Sequence, residues 1–162
     1  MLNECLRLES QSLSQLDPSR DETAEETYRN CIHWFEASNV RVRFSHDSIS
    51  PYWRNGAHQN HAIQETLQKL IEKPKEAENM PACVAIACRS LFFVIFGNRR
   101  FNVYKQCAQQ SCSQVWFKVI VHRFPECQRI LDAELRALFR LKAIHAMDTL
   151  TSGAAVTTRP WR

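Results

Sequence analysis

The stretch Leu91 to Tyr104, Leu-Phe-Phe-Val-Ile-Phe-Gly-Asn-Arg-Arg-Phe-Asn-Val-Tyr, constrains the fold most. Six apolar residues, rich in β-branched and aromatic side chains, end abruptly at Gly97. Without polar alternation, such a run reads as a strand buried on both faces. After Gly97 come Arg99 and Arg100, then an amphipathic segment. The pattern predicts a strand, a glycine turn and a helix start with guanidinium groups at the turn. A helix N-terminus presents backbone N–H groups and the positive end of its dipole, which suits phosphate. Arginine adds planar, bidentate donors for phosphate oxygens. Gly97, Asn98, Arg99 and Arg100 are therefore the candidate phosphate- or nucleotide-binding residues.

The remaining segments are predicted in chain order. Asp17-Pro18 reads as an N-cap and first helical residue. Ala24, Tyr28, Cys31 and Phe35 share a helical face, so a helix is expected from there to about Ala37. Val40 to Phe44 alternates as a short strand, with Arg41 and Arg43 on one side as a candidate nucleic-acid surface. A loop follows to Gly56. Asn60 is expected to cap a helix bearing Ile63, Leu67, Leu70 and Ile71, closed at Lys73-Pro74. Ala82 to Cys88 reads as a buried strand, with Arg89-Ser90 as the hairpin tip before Leu91. Phe101, Tyr104 and Ala108 define the face of the next helix, and Val115 to Val121 is a third core strand. Pro125-Glu126 opens a final helix whose Arg129, Arg136 and Arg140 form a solvated stripe. Residues from Ser152 onward are expected to be a loose tail.

At 162 residues the chain has room for one domain with a substantial core. No apolar run approaches the length of a membrane span, about 18 residues, and the N-terminal stretch has no signal-peptide character. Seven cysteines at scattered spacings point to free, mostly buried thiols in a reducing intracellular compartment, cytoplasm or nucleus. The net charge of +4 is unevenly spread: residues 1–38 carry −5, residues 39–115 carry +5 and residues 116–162 carry +4. A basic body behind an acidic leader fits an anionic partner, nucleotide or nucleic acid, and equally fits association of the two halves or a protein partner. The expected division is an acidic helical leader over 1–39, a core over 40–124, a C-terminal helix over 125–150 and a tail over 151–162.

The order strand, loop, helix, strand, hairpin, strand, Gly-x-Arg-Arg, helix, strand resembles the ParB N-terminal domain, whose fold is shared with sulfiredoxin. The resemblance covers roughly residues 40 to 122, and Arg43 to Pro51 (Arg-Phe-Ser-His-Asp-Ser-Ile-Ser-Pro) is similar to the opening motif of a ParB-like subgroup. It implies an α+β fold, a small mixed sheet wrapped by helices, here with additional N- and C-terminal helices. It also implies a nucleoside triphosphate held at the Gly97–Arg100 turn, with magnesium, and nuclease, hydrolytic or phosphotransfer chemistry in active members. The family's acidic residue after the glycine is replaced by Asn98, where sulfiredoxin has its reactive cysteine. Binding through the arginines is thus the first expectation, and a catalytically degenerate scaffold for protein interaction the second.

His46 and Asp47, adjacent in the Ser-rich loop, are the candidate acid–base residues. An Asp-capped turn with an exposed histidine explains them as well. Cys107, Cys112, His122 and Cys127 lack the tight pairing of zinc ligands, so no zinc is expected. Trp34, Trp53, Trp116 and the phenylalanines are assigned to the core, Tyr52 and Trp53 being the exceptions placed to stack on a base.

Overall fold

The structure, a computed structural model, describes residues 29–53, 60–88, 90–123, 151 and 153–159. The strands are β1 (Ile32–Glu36), β2 (Val42–Phe44), β3 (Ser48–Ile49), β4 (Cys83–Cys88), β5 (Leu91–Phe96), β6 (Trp116–Arg123) and β7 (Thr157–Thr158). The α-helices are α1 (Ile63–Glu72) and α2 (Asn98–Ser111), with short 3-10 turns at Arg29–Cys31 and Pro74–Asn79. This is an α+β fold built on a small mixed sheet. The sheet order is β1-β6-β4-β5-β2, while β3 and β7 make a separate parallel pair. β1–β6 and β4–β5 are antiparallel; β4–β6 and β2–β5 are parallel.

The register sorts side chains onto two faces. Phe35, Phe44, Ala85, Phe92, Val94, Phe117 and Val119 point to the face that meets α1 and α2. The helices contribute Ile63, Leu67, Leu70, Phe101, Tyr104 and Cys107, all buried, in the periodic pattern that the sequence shows. Tilted and stacked rings hold this layer together: Phe44–Phe101 at 4.5 Å, Tyr104–Phe117 at 5.0 Å and Phe101–Phe117 at 5.6 Å between centroids. On the opposite face Val84, Ile86, Phe93 and Ile120 are also buried, as expected for strands apolar on both sides.

Three expectations are corrected. The helix expected up to Ala37 does not extend over Ile32–Glu36, which forms strand β1 against β6; Asp17 to Tyr28 lie outside the described residues. Ile-His-Trp-Phe has β-branched and aromatic character, and pairing with a distant strand outweighs a helical spacing of small and aromatic residues. Asn60 does not cap α1. It adopts a left-handed conformation at φ 67°, the cap position falls on Ala62, and the Ile63 N–H donates to the Pro51 carbonyl at 2.9 Å. The tail is not loose at 153–159: Thr157-Thr158 pairs with β3, and the Phe44 N–H donates to the Gly153 carbonyl at 2.7 Å. The expected helix over 125–150 also lies outside the described residues. No helix among the described residues is long and apolar enough to cross a membrane.

Candidate functional site

The chain reverses at the end of β5 through two local devices. A register irregularity at Val84/Ala85 bends the β4–β5 ladder just before the turn. Gly97 then takes φ 91°, a left-handed conformation, and serves as the cap residue of α2 without a side-chain cap bond. A β-carbon at Gly97 would lie 2.7 Å from Cys83 Sγ and 3.0 Å from Arg100 Nη2. The space left by the missing side chain therefore faces inward, onto Cys83 and Arg100. The Cys83 thiol donates to the Gly97 carbonyl at 3.6 Å.

Asn98 and Arg100 are both 7% exposed, and both are engaged with the protein. The Asn98 carbonyl oxygen accepts from the Ser45 N–H at 3.1 Å, and its amide donates to Ser45 Oγ at 3.0 Å. This two-bond clasp draws the loop after β2 against the first turn of α2. Arg100 Nη2 donates to the Ala82 carbonyl at 3.3 Å, beneath the turn. Its charge opposes the burial that pushes the Tyr104 phenol well above its usual range, while Cys83 adds to that rise. The Tyr104 hydroxyl is buried without a hydrogen-bond partner. Arg99, one position earlier, is half-buried on the first turn.

Two further cations lie along α2: Lys105, which sequence reasoning did not single out, and Arg43, assigned from the sequence to a nucleic-acid surface. Lys105 lies one face along α2, with Nζ 5.4 Å from the Phe101 ring centroid and 5.7 Å from that of Phe44. Its pKa is lowered by burial and by the charge of Arg43. Arg43 is half-buried on edge strand β2, with Nε enclosed and lacking a hydrogen-bond partner. Neither Arg43 nor Lys105 is paired with a carboxylate among the described residues. Helical spacing places Lys105 two turns beyond Asn98, but only the β2–β5 pairing brings Arg43 to it. Lys105 was legible as a cation seven residues past Asn98; its neighbour was not.

The other predicted residues fall as follows. His46 and Asp47 are exposed and immediately follow Ser45, so the Asn98 clasp fixes the start of their loop beside the turn. The Asp47 backbone carbonyl accepts from Thr157 N at 2.9 Å and from Thr157 Oγ1 at 3.1 Å, which ties the loop to β7. Arg41 does not join Arg43: its Nε donates to the Ser90 carbonyl at 2.8 Å and its guanidinium lies 5.6 Å from the Phe92 ring, toward the hairpin end of β5. Of the described thiols, Cys83 and Cys107 are buried, Cys31 is half-buried and Cys112 is exposed. The sheet separates Cys107, on α2, from His122, on the face away from the helices. Trp53 is fastened to the core side, its Nε1 donating to Thr66 Oγ1 at 3.0 Å. Trp34 and Trp116, assigned to the core from sequence, are instead 49% and 39% exposed. Their strands lie at or next to the sheet edge, where one side of the aromatic ring has no neighbouring strand to cover it. No family model, curated protein or solved structure matches the chain.

Proposed function

We propose that this domain recognises phosphate, as nucleotide or nucleic acid, at the corner where β5 turns into α2. The observation that carries the reading is the gathering of cations along α2: Arg99 on its first turn, and two turns on Lys105, whose Nζ lies over the Phe44 ring next to Arg43, with Lys105 and Arg43 each partly buried and without a carboxylate among the described residues. Like charges held together at partial burial raise the energy of the empty corner, and an anion between them reverses the sign of that interaction. At Arg99, on the first turn of α2, the helix dipole acts in the same direction. In this reading Arg99, Arg43 and Lys105 contact the phosphate. Arg100 and Gly97 shape the turn from within, and Asn98 holds the Ser45 loop in place. The resemblance of Gly97-Asn98-Arg99-Arg100 to the ParB turn supports the same assignment, with a nucleoside triphosphate and magnesium as ligand.

The test is titration of the wild type with ATP plus magnesium and with short oligonucleotides at low salt. Lys105→Ala and Arg99→Ala should each weaken binding about 5- to 30-fold and lower the salt dependence by roughly one ion for each cation removed. A folded wild type that binds neither ligand, or variants that bind as the wild type does, overturns the reading. Turnover in the same mixtures, abolished in His46→Ala or Asp47→Asn, would assign hydrolytic or nuclease chemistry to the corner. The second reading, a degenerate scaffold for a protein partner, is favoured by one observation: Asn98, at the position where the family keeps its reactive side chain, is consumed by its two bonds to Ser45. A folded protein with no affinity for any phosphate ligand leaves that reading standing.

A further inference from the structure

The Asn102 side chain, on α2, is 7% exposed, and its Nδ2 has no hydrogen-bond partner among the described residues. A buried donor left unpaired loses its hydration without recompense, and folded proteins ordinarily avoid it. The neighbouring side chains on the helix offer no acceptor. Asn98, one turn back, has its carbonyl and its amide both engaged by Ser45. Arg99 and Lys105, three residues before and three after, are its neighbours on the helix surface, about 5–6 Å away between β-carbons, and carry donors only. Lys105 leans back along α2, as helical side chains do, and its Nζ comes within 5.4 Å of the Phe101 ring centroid, on the turn that bears Asn102. Behind it stands Arg43, whose charge acts on Lys105 and whose Nε is a second enclosed donor without a partner among the described residues.

An unpaired amide N–H flanked by cations, with no carboxylate on Lys105 or Arg43 among the described residues, calls for an acceptor brought from outside. Asn102 also connects cations that are two turns apart. It lies midway between Arg99 and Lys105, about 4.5 Å of helix rise from each. The burial of the amide narrows the class of ligand. An internal phosphodiester has one negative charge on two free oxygens, and its chain must leave in two directions. A terminal phosphate group has about −1.5 to −2 of charge on three free oxygens, and a single tether. The terminal group fits a mostly enclosed donor with cations on either side; a continuous backbone does not.

We propose that Asn102 is the seat of a terminal phosphate group, its amide donating to one phosphate oxygen while Lys105 and Arg99 meet the others, so that the ligand is a nucleotide or a phosphorylated strand end and not an internal stretch of nucleic acid. The choice of phosphate rests on the reading above; the unpartnered amide does not. The test titrates the wild type, Asn102→Leu and Asn102→Asp with inorganic phosphate, thymidine 5′-monophosphate, and a short oligothymidylate carrying either a 5′-phosphate or a 5′-hydroxyl. The wild type should bind the phosphorylated oligomer at least tenfold more tightly than the hydroxyl form, and inorganic phosphate should compete for that difference. Asn102→Leu, which keeps the size but removes the donor, should lose the preference. So should Asn102→Asp, which puts a carboxylate where the phosphate would lie and decides the matter if the leucine variant does not fold. Thymidine 5′-monophosphate binding as tightly as the phosphorylated oligomer supports the site as one for free nucleotides, and weaker binding supports it as one for strand ends. Equal affinity for the two oligomers, or a preference that persists in a folded Asn102 variant, overturns this inference while leaving the phosphate reading in place. A folded wild type that binds none of the four ligands overturns both.

Discussion

Asn98 shows how one side chain can look like a functional vacancy in a sequence and prove to be a fastener. Its amide supplies one acceptor and one donor, and Ser45 meets both. Removing a buried partner leaves the other group unsatisfied, at a cost of about 1–3 kcal/mol. Asn98→Ala should therefore lower the unfolding free energy by that amount, read from a urea midpoint at constant slope. Asn98→Asp should lose less than half as much. A carboxylate still accepts from the Ser45 N–H, the Ser45 hydroxyl can turn to donate, and negative charge at the first position of α2 is favoured by the dipole. Equal loss in both variants would contradict this account of the clasp. Gly97 teaches the converse. The sequence shows that a turn needs it, but only the fold shows that its bare α-carbon makes room for Cys83 and Arg100.

At the scale of elements, the short strand β2 depends on a segment more than a hundred residues away. Its Phe44 N–H donates to the Gly153 carbonyl, and β3 beside it pairs with β7. A β-carbon at Gly153 would sit 2.2 Å from the Phe44 carbonyl oxygen, with φ at 75°. No relaxation of a flexible side chain relieves a backbone clash of that size. Gly153→Ala should cost at least about 1–3 kcal/mol from the strained conformation alone. It should also release amide protection at Phe44 and Thr157 before that of β4 and β6, measured by hydrogen exchange. Simultaneous loss across the whole sheet would show that the strap and the sheet unfold as one unit. Within contiguous segments the periodic patterns were reliable: β4, β5, α2 and β6 all form where alternation or helical spacing places them. The strand at Ile32–Glu36 was missed because its partner, β6, is some eighty residues away, and local spacing contains no trace of that pairing.

For the whole molecule, pH is the simplest probe of how the layers close. His122 is 1% exposed, and burial lowers its imidazole from 6.5 to about 4. Above pH 6.5 both the folded and unfolded chains hold it neutral, so its contribution is constant. As pH falls from 6.5 toward 4 the unfolded chain takes up a proton that the folded chain refuses, and stability declines. The full decline from this residue is of order 3 kcal/mol. His122→Phe should flatten the urea midpoint against pH over that window, and an unchanged slope would place the titrating group elsewhere. The charge distribution acts at the same scale, residues 39–115 carrying a net +5 against −5 for residues 1–38.

The amino-acid order alone determined the α+β class, the strand–turn–helix at Gly97 and most of the buried faces, because these follow from short-range periodicity and from glycine's access to left-handed backbone. Tertiary structure decided which cations meet. It set Arg100 inward and Arg43 beside Lys105, locked Asn98 to Ser45, and left Trp34 and Trp116 at the surface. Those outcomes depend on strand order and register, and pairing between distant segments is fixed by the fit of whole surfaces rather than by any local run of residues.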